Sequence, residues 1–163
     1  KIIYYGIDFS EKQVEQTRKY VQRNKINAKL FKANAEKLNK KIFKNNMVDY
    51  GLFIASLHCI ETKIKRKKAL QELFRVLKNH AEALITVWNA EDKRFNSVNN
   101  HGDVYLSWKE NNIPYMRYYY LYKKQELIGL IKSVRFKIIK FYQTENQKDR
   151  FSRKNWIIKV RKI

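Results

Sequence analysis

The chain has 163 residues, 44% of them hydrophobic and 14% aromatic, which is enough for one domain with a buried core. Its 36 lysines and arginines against 15 acidic residues give a net charge of +21, which excludes a protein with a mainly acidic surface. One cysteine excludes a disulfide framework and a multi-cysteine zinc site, and no apolar run approaches the ~20 residues that span a bilayer. We therefore expect a single domain over residues 1–163, in the cytoplasm, with no membrane partner and no metal site.

The first third of the chain predicts three strands and one helix. Residues 2–7 are apolar and β-prone, and they predict a buried strand that ends at Asp8. Ser10 predicts the N-cap of a polar helix that runs to about residue 24. Two further strands are predicted, at residues 28–31 and 48–55.

The middle of the chain predicts a helix, a strand and an insertion. Residues 65–78 carry apolar side chains at spacings of three and four, which is typical of a helix with one buried face. Residues 84–88 predict a strand. Residues 89–115 are polar and contain the only proline, so we predict an irregular segment there, within a substrate-side insertion over residues 89–123.

The last part of the chain decides the predicted fold class. Residues 124–132 predict a helix, and residues 136–142 and 156–160 predict two strands that pair as an antiparallel hairpin. Strands that alternate with helices and close with two consecutive strands predict an α/β sandwich around a mostly parallel sheet.

Three predicted strands end in polar or titratable side chains, at the edge where doubly wound sheets bind ligands. Asp8 follows the first strand, where a carboxylate either accepts from ribose hydroxyls or caps a turn. Asn34 follows the second strand, where an amide either pairs with an adenine edge or lies in an ordinary loop. His58 follows the third strand and either faces a ligand or has a structural role. Local sequence leaves each alternative open.

The basic excess is heaviest in the last third of the chain, where residues 101–163 hold 15 basic and 5 acidic residues. There the cations alternate with aromatic residues, as at residues 117–124. Aromatic faces stack bases and cations neutralise phosphates, so the pattern favours single-stranded nucleic acid. The alternative is nucleotide bias, because Lys, Asn, Ile and Tyr, which have A/T-rich codons, make up 42% of the chain.

Four short segments occur in order along the first half of the chain. They are Gly-Ile-Asp-Phe-Ser at 6–10, Asn-Ala-Glu-Lys-Leu at 34–38, Val-Asp-Tyr-Gly-Leu-Phe-Ile-Ala-Ser-Leu-His at 48–58, and Ala-Leu-Gln-Glu-Leu-Phe-Arg-Val-Leu-Lys at 69–78. Together they resemble the class I S-adenosylmethionine-dependent methyltransferases. The resemblance implies a Rossmann-like three-layer sandwich with S-adenosylmethionine as cofactor and its ribose at Asp8. The other cofactor-binding residues it implies are Phe9, Asn34, Ala35, Ala55 and Leu57.

The second half narrows the resemblance to one branch. Its segments are Val-Trp-Asn-Ala-Glu at 87–91, Gly-Asp-Val-Tyr-Leu-Ser-Trp at 102–108, Arg-Tyr-Tyr-Tyr-Leu-Tyr at 117–122, Glu-Leu at 126–127 and Asn-Trp at 155–156. They are similar to those of the tRNA wobble-uridine carboxymethyl methyltransferases, including the methyltransferase domain fused to an AlkB-type oxygenase. The resemblance implies methyl transfer to the carboxylate of carboxymethyluridine in tRNA. It also implies a small zinc-binding activator subunit as partner.

Methyl transfer to a carboxylate depends mainly on positioning, because the acceptor oxygen is already anionic. A guanidinium holds a carboxylate through two parallel hydrogen bonds, and we assign that role to Arg117. The alternatives for Arg117 are a phosphate contact or a surface charge. His58 and Tyr118 complete the predicted catalytic group. The predicted RNA-binding residues are Trp108, Tyr119, Lys123 and Lys124, with core packing as the alternative for the aromatic ones.

The chain has no counterpart of the family's first strand or of its Gly-x-Gly-x-Gly loop. In that family the strand lies between those predicted here at residues 2–7 and 48–55. The chain starts with Lys1 inside an apolar run, so we expect a segment to precede it. Two other functions stay open: a methyltransferase of the same fold that acts on a small molecule, and a non-catalytic RNA-binding scaffold.

Overall fold

Within residues 2–95, 101–144 and 155–163, which the computed structural model describes, eight strands and three α-helices follow one another along the chain. The first half contains β1 (Tyr4–Asp8), α1 (Glu11–Arg23), β2 (Ala28–Lys32), β3 (Val48–Ile54), α2 (Lys63–Val76) and β4 (Leu77–Trp88). The second half contains β5 (Gly102–Glu110), β6 (Ile113–Leu121), α3 (Lys124–Lys132), β7 (Phe136–Gln143) and β8 (Asn155–Lys162). The α/β order and the final antiparallel pair of strands confirm the fold class expected from the sequence.

The strands form two sheets and a separate hairpin. β1 and β2 pair in parallel. The larger sheet has the order β3-β4-β8-β7, in which β3 and β4 are parallel and β8 is antiparallel to both of its neighbours. Among the described residues β1 pairs only with β2 and β3 only with β4, so a cleft separates the facing edges of β1 and β3. This is where the resemblance places the family's first strand.

Local signals explain the first and last helices. Ser10 has extended backbone angles, and its hydroxyl accepts a hydrogen bond from the Gln13 amide at 3.4 Å, as an N-cap does. α1 then ends at its C-cap, Asn24. The bounds of α3 agree with the prediction, because its apolar side chains have a helical period and the β-prone run begins soon after it.

The boundary between α2 and β4 differs from the prediction. Helical spacing extended the predicted helix to residue 78 and delayed the strand to residue 84, whereas β4 starts at Leu77. The amides of Asn46 and Met47 donate to the carbonyls of Arg75 and Val76, which ends the helix in favour of pairing with the neighbouring segment. The helical period alone did not reveal this competition, because those hydrogen bonds come from residues about thirty positions away.

The prediction of an irregular segment at residues 89–115 is wrong from residue 102 on. β5 and β6 form a regular antiparallel hairpin that pairs from Gly102–Leu121 to Glu110–Ile113. The two-residue turn between them is Asn111-Asn112, with φ of 50° and 64°, and asparagine tolerates this left-handed backbone. Pro114 lies at the second position of β6, beside the turn, and does not interrupt the pairing.

The main core lies between the larger sheet and helices α2 and α3. Its fully buried side chains include Leu70, Ile85, Leu127, Ile131 and Ile158. Burial of each such side chain contributes about 1.5–3 kcal/mol relative to exposure. Packing in this core fixes the position of β3, which borders the cleft between β1 and β3. None of the helices in the described ranges is long and apolar enough to cross a membrane.

Candidate functional site

A cavity of about 650 Å³ lies between β1 and β3 and extends along both strands, from Val48 at the start of β3 to Asp8 and Ala55 at the carboxyl ends. Five of the six predicted cofactor-binding residues line it, namely Asp8, Phe9, Asn34, Ala35 and Ala55. The sixth, Leu57, lies in the 3₁₀ turn Leu57–Cys59 and is fully buried in the main core. The structure thus brings together residues from three strand ends that are far apart in the chain.

The Asp8 carboxylate has one oxygen engaged and one available. Oδ1 accepts a hydrogen bond from the Ser10 amide at 2.8 Å, so the aspartate does hold the turn into α1. Oδ2 has no bonding partner among the described residues. The turn orients the carboxylate at the cavity wall, where its second oxygen can accept from a ligand hydroxyl. The capping and the ligand-binding alternatives are therefore compatible.

The two faces of β6 separate the predicted catalytic and RNA-binding residues, because successive side chains of a strand point to opposite sides. Arg117 and Tyr119 lie on one side and contact Trp108 of β5. Tyr118 lies on the other side with Tyr120. The sequence grouped Arg117 and Tyr118 in one catalytic set; the structure does not bring their side chains together.

We call the first side the aromatic face and define it by His58, Trp88, Trp108, Arg117 and Tyr119. The rings of Trp88 and Tyr119 stack with centroids 4.4 Å apart, and His58 stacks on Trp88 at 4.7 Å. Tyr119 is only 6% exposed, whereas Trp108 is 39% exposed. Trp108 is therefore the ring of this face that is available for stacking by a ligand.

Arg117 is an exposed residue of the aromatic face whose charge acts on Cys59 in the wall of the cleft. Its guanidinium carbon is 5.1 Å from the ring centre of Trp108, and no carboxylate among the described residues pairs with it. Desolvation raises the pKa of the Cys59 thiol and of the Tyr119 phenol, and the nearby Arg117 guanidinium opposes this rise in both. Since Cys59 lines the cleft, an uncompensated cation lies next to the cavity.

His58 is the most deeply buried residue of the aromatic face, 1% exposed and stacked on Trp88. Burial, reinforced by the charge of Arg94, lowers the pKa of its imidazole to about 3. The ring is therefore neutral at physiological pH and is shielded from solvent. Its role in catalysis stays a prediction; what the geometry provides is a flat neutral ring that supports Trp88.

The buried His58 predicts a loss of stability in mild acid. The unfolded chain takes up a proton near pH 6.5 whereas the folded chain does not until about pH 3, so stability falls as the pH drops through this window. The slope approaches ~1.4 kcal/mol per pH unit for one group. In urea unfolding at pH 7.0 and 5.0, we expect His58→Phe to be less acid-sensitive than the wild type. His80→Asn, at an exposed position near the start of β4, should not differ from the wild type, and equal slopes for all three proteins would contradict the burial argument.

The two predicted lysines lie at the same edge of the sheet as the aromatic face. Lys123 follows Tyr122, which forms a bridge with Asn89 just beyond the end of β4. The ammonium of Lys124 lies 5.5 Å from the ring centre of Phe141 on β7. Both lysines are exposed, so they are available to an anionic partner.

Arg66 is the residue that sequence reasoning missed. It stands in a run of lysines and resembles part of a solvated face, yet it is 3% exposed and donates to the Tyr118 hydroxyl at 2.7 Å. A signal was present, because residue 66 lies three and four positions before Ala69 and Leu70, on the buried face of α2.

Comparison with known proteins agrees with this geometry. Residues 1–80 match the family model described as a methyltransferase domain. A SAM-dependent methyltransferase from Methanosarcina mazei has a similar structure, with a TM-score of 0.81 and 18% identity over 99% of this chain and 82% of that one. The PH0226 protein from Pyrococcus horikoshii has a TM-score of 0.76 and 18% identity over 99% and 72% of the two chains. The chain has the class I methyltransferase fold.

Curated relatives resemble parts of this chain. A tRNA (carboxymethyluridine(34)-5-O)-methyltransferase from Schizosaccharomyces pombe is 31% identical over 112 residues, which cover 55% of this chain and 49% of the relative. A protein of the same description from Arabidopsis thaliana is 43% identical over 51 residues, or 31% and 13% of the two chains. The chain thus spans about half the length of the S. pombe relative.

S-adenosylmethionine is the cofactor of this class, and the residues of the cleft fit it. The available Asp8 oxygen suits a ribose hydroxyl, and the Asn34 amide has both a donor and an acceptor for an adenine edge. Phe9 and Ala35 supply apolar surface on the same wall. Among the described residues no group of His, Cys, Asp or Glu side chains is arranged to hold a metal ion.

Proposed function

We propose that the protein methylates the carboxylate of carboxymethyluridine at the wobble position of tRNA. The observation that carries this proposal is Arg117, an exposed guanidinium without a carboxylate partner among the described residues, beside both the cofactor cleft and the ring of Trp108. In carboxymethyluridine the carboxylate needs a cation to bind it, and the planar base needs an aromatic surface to stack on. The names of the partial relatives from S. pombe and A. thaliana support the same substrate.

In this mechanism the chain's residues orient the acceptor rather than move protons. S-adenosylmethionine supplies an electrophilic methyl group when bound in the cleft. Arg117 holds the substrate carboxylate, and Trp108 stacks on the base that carries it. The carboxylate is ionised near neutral pH, so no general base is required, and the neutral His58 is consistent with that. Orientation and exclusion of water supply the acceleration.

The basic residues near this edge provide the RNA contacts. Lys123 and Lys124 are exposed beside the end of β4, where they can neutralise tRNA phosphates. The resemblance to the carboxymethyluridine branch also favours a small zinc-binding activator subunit and a cytoplasmic location. Both are expectations of this proposal.

The direct test is methyl transfer from S-adenosyl-[methyl-³H]methionine to tRNA with either 5-carboxymethyluridine or uridine at position 34. We expect label only in the carboxymethylated tRNA, and mild alkali should release it as volatile methanol because the product is a methyl ester. Alkali-stable label, or equal label in both tRNAs, would contradict the proposed acceptor. Labelling of a small-molecule acceptor but not of tRNA would favour the same fold with a different substrate.

The Arg117 assignment is tested in the same assay. Arg117→Gln removes a charge-assisted interaction worth about 1.5–3 kcal/mol, so kcat/KM should fall roughly 10- to 150-fold. Arg117→Lys keeps the charge but not the forked geometry, so its kcat/KM should fall less than that of Arg117→Gln. Lys109→Gln, an exposed cation on β5 of the same hairpin, is the matched control and should retain wild-type activity. A wild-type rate in Arg117→Gln would remove this residue from the proposal.

A further inference from the structure

Arg66 is a buried cation whose charge no carboxylate contacts directly among the described residues. One guanidinium nitrogen, Nη1, donates to the Ile60 carbonyl at 3.1 Å and to the Tyr118 hydroxyl at 2.7 Å. The guanidinium carbon also lies 3.7 Å from the ring centre of Tyr120. Burial of a guanidinium costs free energy of folding unless neighbouring groups compensate its charge, so the partners of Arg66 must supply that compensation.

Two phenols connect Arg66 to carboxylates. The Tyr118 hydroxyl accepts from Arg66 and donates to Asp103 on β5, and the Tyr120 hydroxyl donates to Glu126 on α3. Desolvation and the bond to Asp103 raise the pKa of Tyr118 to about 12, so its hydroxyl keeps the proton that it donates. The network spans five parts of the fold: the loop after β3, α2, β5, β6 and α3.

This network lies on the side of β6 opposite to the aromatic face. Tyr118 and Tyr120 contact Arg66 on one side, while Arg117 and Tyr119 point to the other. A strand held through alternate residues cannot slide or twist without moving the residues between them. The contacts of Arg66 therefore constrain where Arg117 stands relative to the cleft.

We propose that Arg66 is a positioning residue that, through Tyr118 and Tyr120, holds Arg117 and Trp108 in register with the cofactor cleft. The inference rests on the proposed function for its kinetic consequence, but the contacts themselves do not depend on it. A guanidinium suits this position because it is planar, stacks on a ring and donates hydrogen bonds in fixed directions. An ammonium also donates hydrogen bonds, but it is not planar and its donors rotate freely.

The first measurement does not require catalysis. Hydrogen exchange of the backbone amides in β5 and β6 should be faster in Arg66→Met than in the wild type, and Tyr118→Phe should share part of the effect. Lys67→Met, an exposed neighbour on α2, is the matched control. If β5 and β6 exchange at the wild-type rate in a folded Arg66→Met, Arg66 does not hold the hairpin and the proposal is wrong. This outcome is informative even if the wild type methylates no tRNA.

The second measurement separates positioning from general stability. In Arg66→Lys, which keeps the charge, we expect kcat/KM for carboxymethylated tRNA to fall roughly 10- to 100-fold, the size of effect that a misplaced reacting group produces. Its affinity for S-adenosylhomocysteine should stay within about two-fold, a difference below 0.5 kcal/mol. A parallel loss of both would indicate a merely structural role. A wild-type kcat/KM in Arg66→Lys would show that the charge suffices and that the directional contacts do not position Arg117.

Discussion

Asp8→Ala is expected to abolish most of the affinity for the cofactor while the fold stays intact. The Asp8 carboxylate lines the cleft with one oxygen bonded to the Ser10 amide and the other available. Loss of a charge-assisted hydrogen bond costs about 1.5–3 kcal/mol, which corresponds to a roughly 10- to 150-fold weaker Kd. The measurement is isothermal titration calorimetry with S-adenosylhomocysteine.

Two companion variants sharpen this test. Asp8→Asn keeps an oxygen for the Ser10 amide and so preserves the turn, but it loses the charge; we expect its affinity to lie between those of the wild type and Asp8→Ala. Asp49→Asn removes an exposed carboxylate on β3 that pairs only with Lys78 among the described residues, and should bind normally. Unchanged affinity in a folded Asp8→Ala would show that the aspartate serves only the turn.

Charge reversal of Lys123 and Lys124 together is expected to weaken tRNA binding and to flatten its salt dependence. Both lysines are exposed at the edge of the sheet that carries the aromatic face. Each phosphate contact contributes about 0.7–0.9 to the slope of log affinity against log salt, so the loss of two contacts should reduce that slope by about 1.4–1.8. Filter binding at several salt concentrations measures it.

The matched control is charge reversal of Lys132 and Lys137, which lie at the opposite edge of the sheet from Lys123 and Lys124. Lys132 ends α3 and Lys137 lies at the start of β7, close to where Lys162 of β8 bonds the Leu77 carbonyl at the start of β4. Their double reversal should change the slope less. If the two double variants behave alike, the RNA surface lies elsewhere, and a shallow wild-type slope would favour nucleotide bias as the source of the lysines. Arg150 and Arg153, which also belong to the basic last third, lie outside the described residues.

The structure changes how the basic helix α2 is interpreted. In a doubly wound sheet the helix that follows a strand is expected to lie away from the ligand-binding edge, which would make the lysines of α2 natural controls for RNA binding. Lys65 instead lines the cleft, and Arg66 contacts β6. The first turn of α2 follows the loop at the carboxyl end of β3, so it lies at the edge where β3 ends, while the rest of the helix runs away from that edge.

Local signals were sufficient for elements whose boundaries are set by nearby residues. The N-cap at Ser10, the period of α3 and the β-prone run of β7 each act within a few positions, and the structure agrees with them. The polar residues at strand ends were predicted only in part, on the ground that the carboxyl ends of parallel strands meet at one edge. Asp8 and Asn34 line one cavity, whereas His58 is buried against Trp88 and does not line it.

Only the tertiary structure decided which side of each element meets which neighbour. Sequence showed Arg117 and Tyr118 as adjacent residues of one motif, but strand alternation sends the first to the aromatic face and the second to Arg66. From the sequence, His58 either faces a bound ligand or has a structural role. In the structure it is buried and neutral, and its ring stacks on Trp88. Chain composition and period determined the fold class, because it depends on local spacing, whereas the cofactor and most candidate site residues came from the resemblance of short segments to a known family. Orientation, burial and charge compensation depend on residues 40 to 60 positions apart, as with Arg66 and Tyr118, and packing alone brings such residues together.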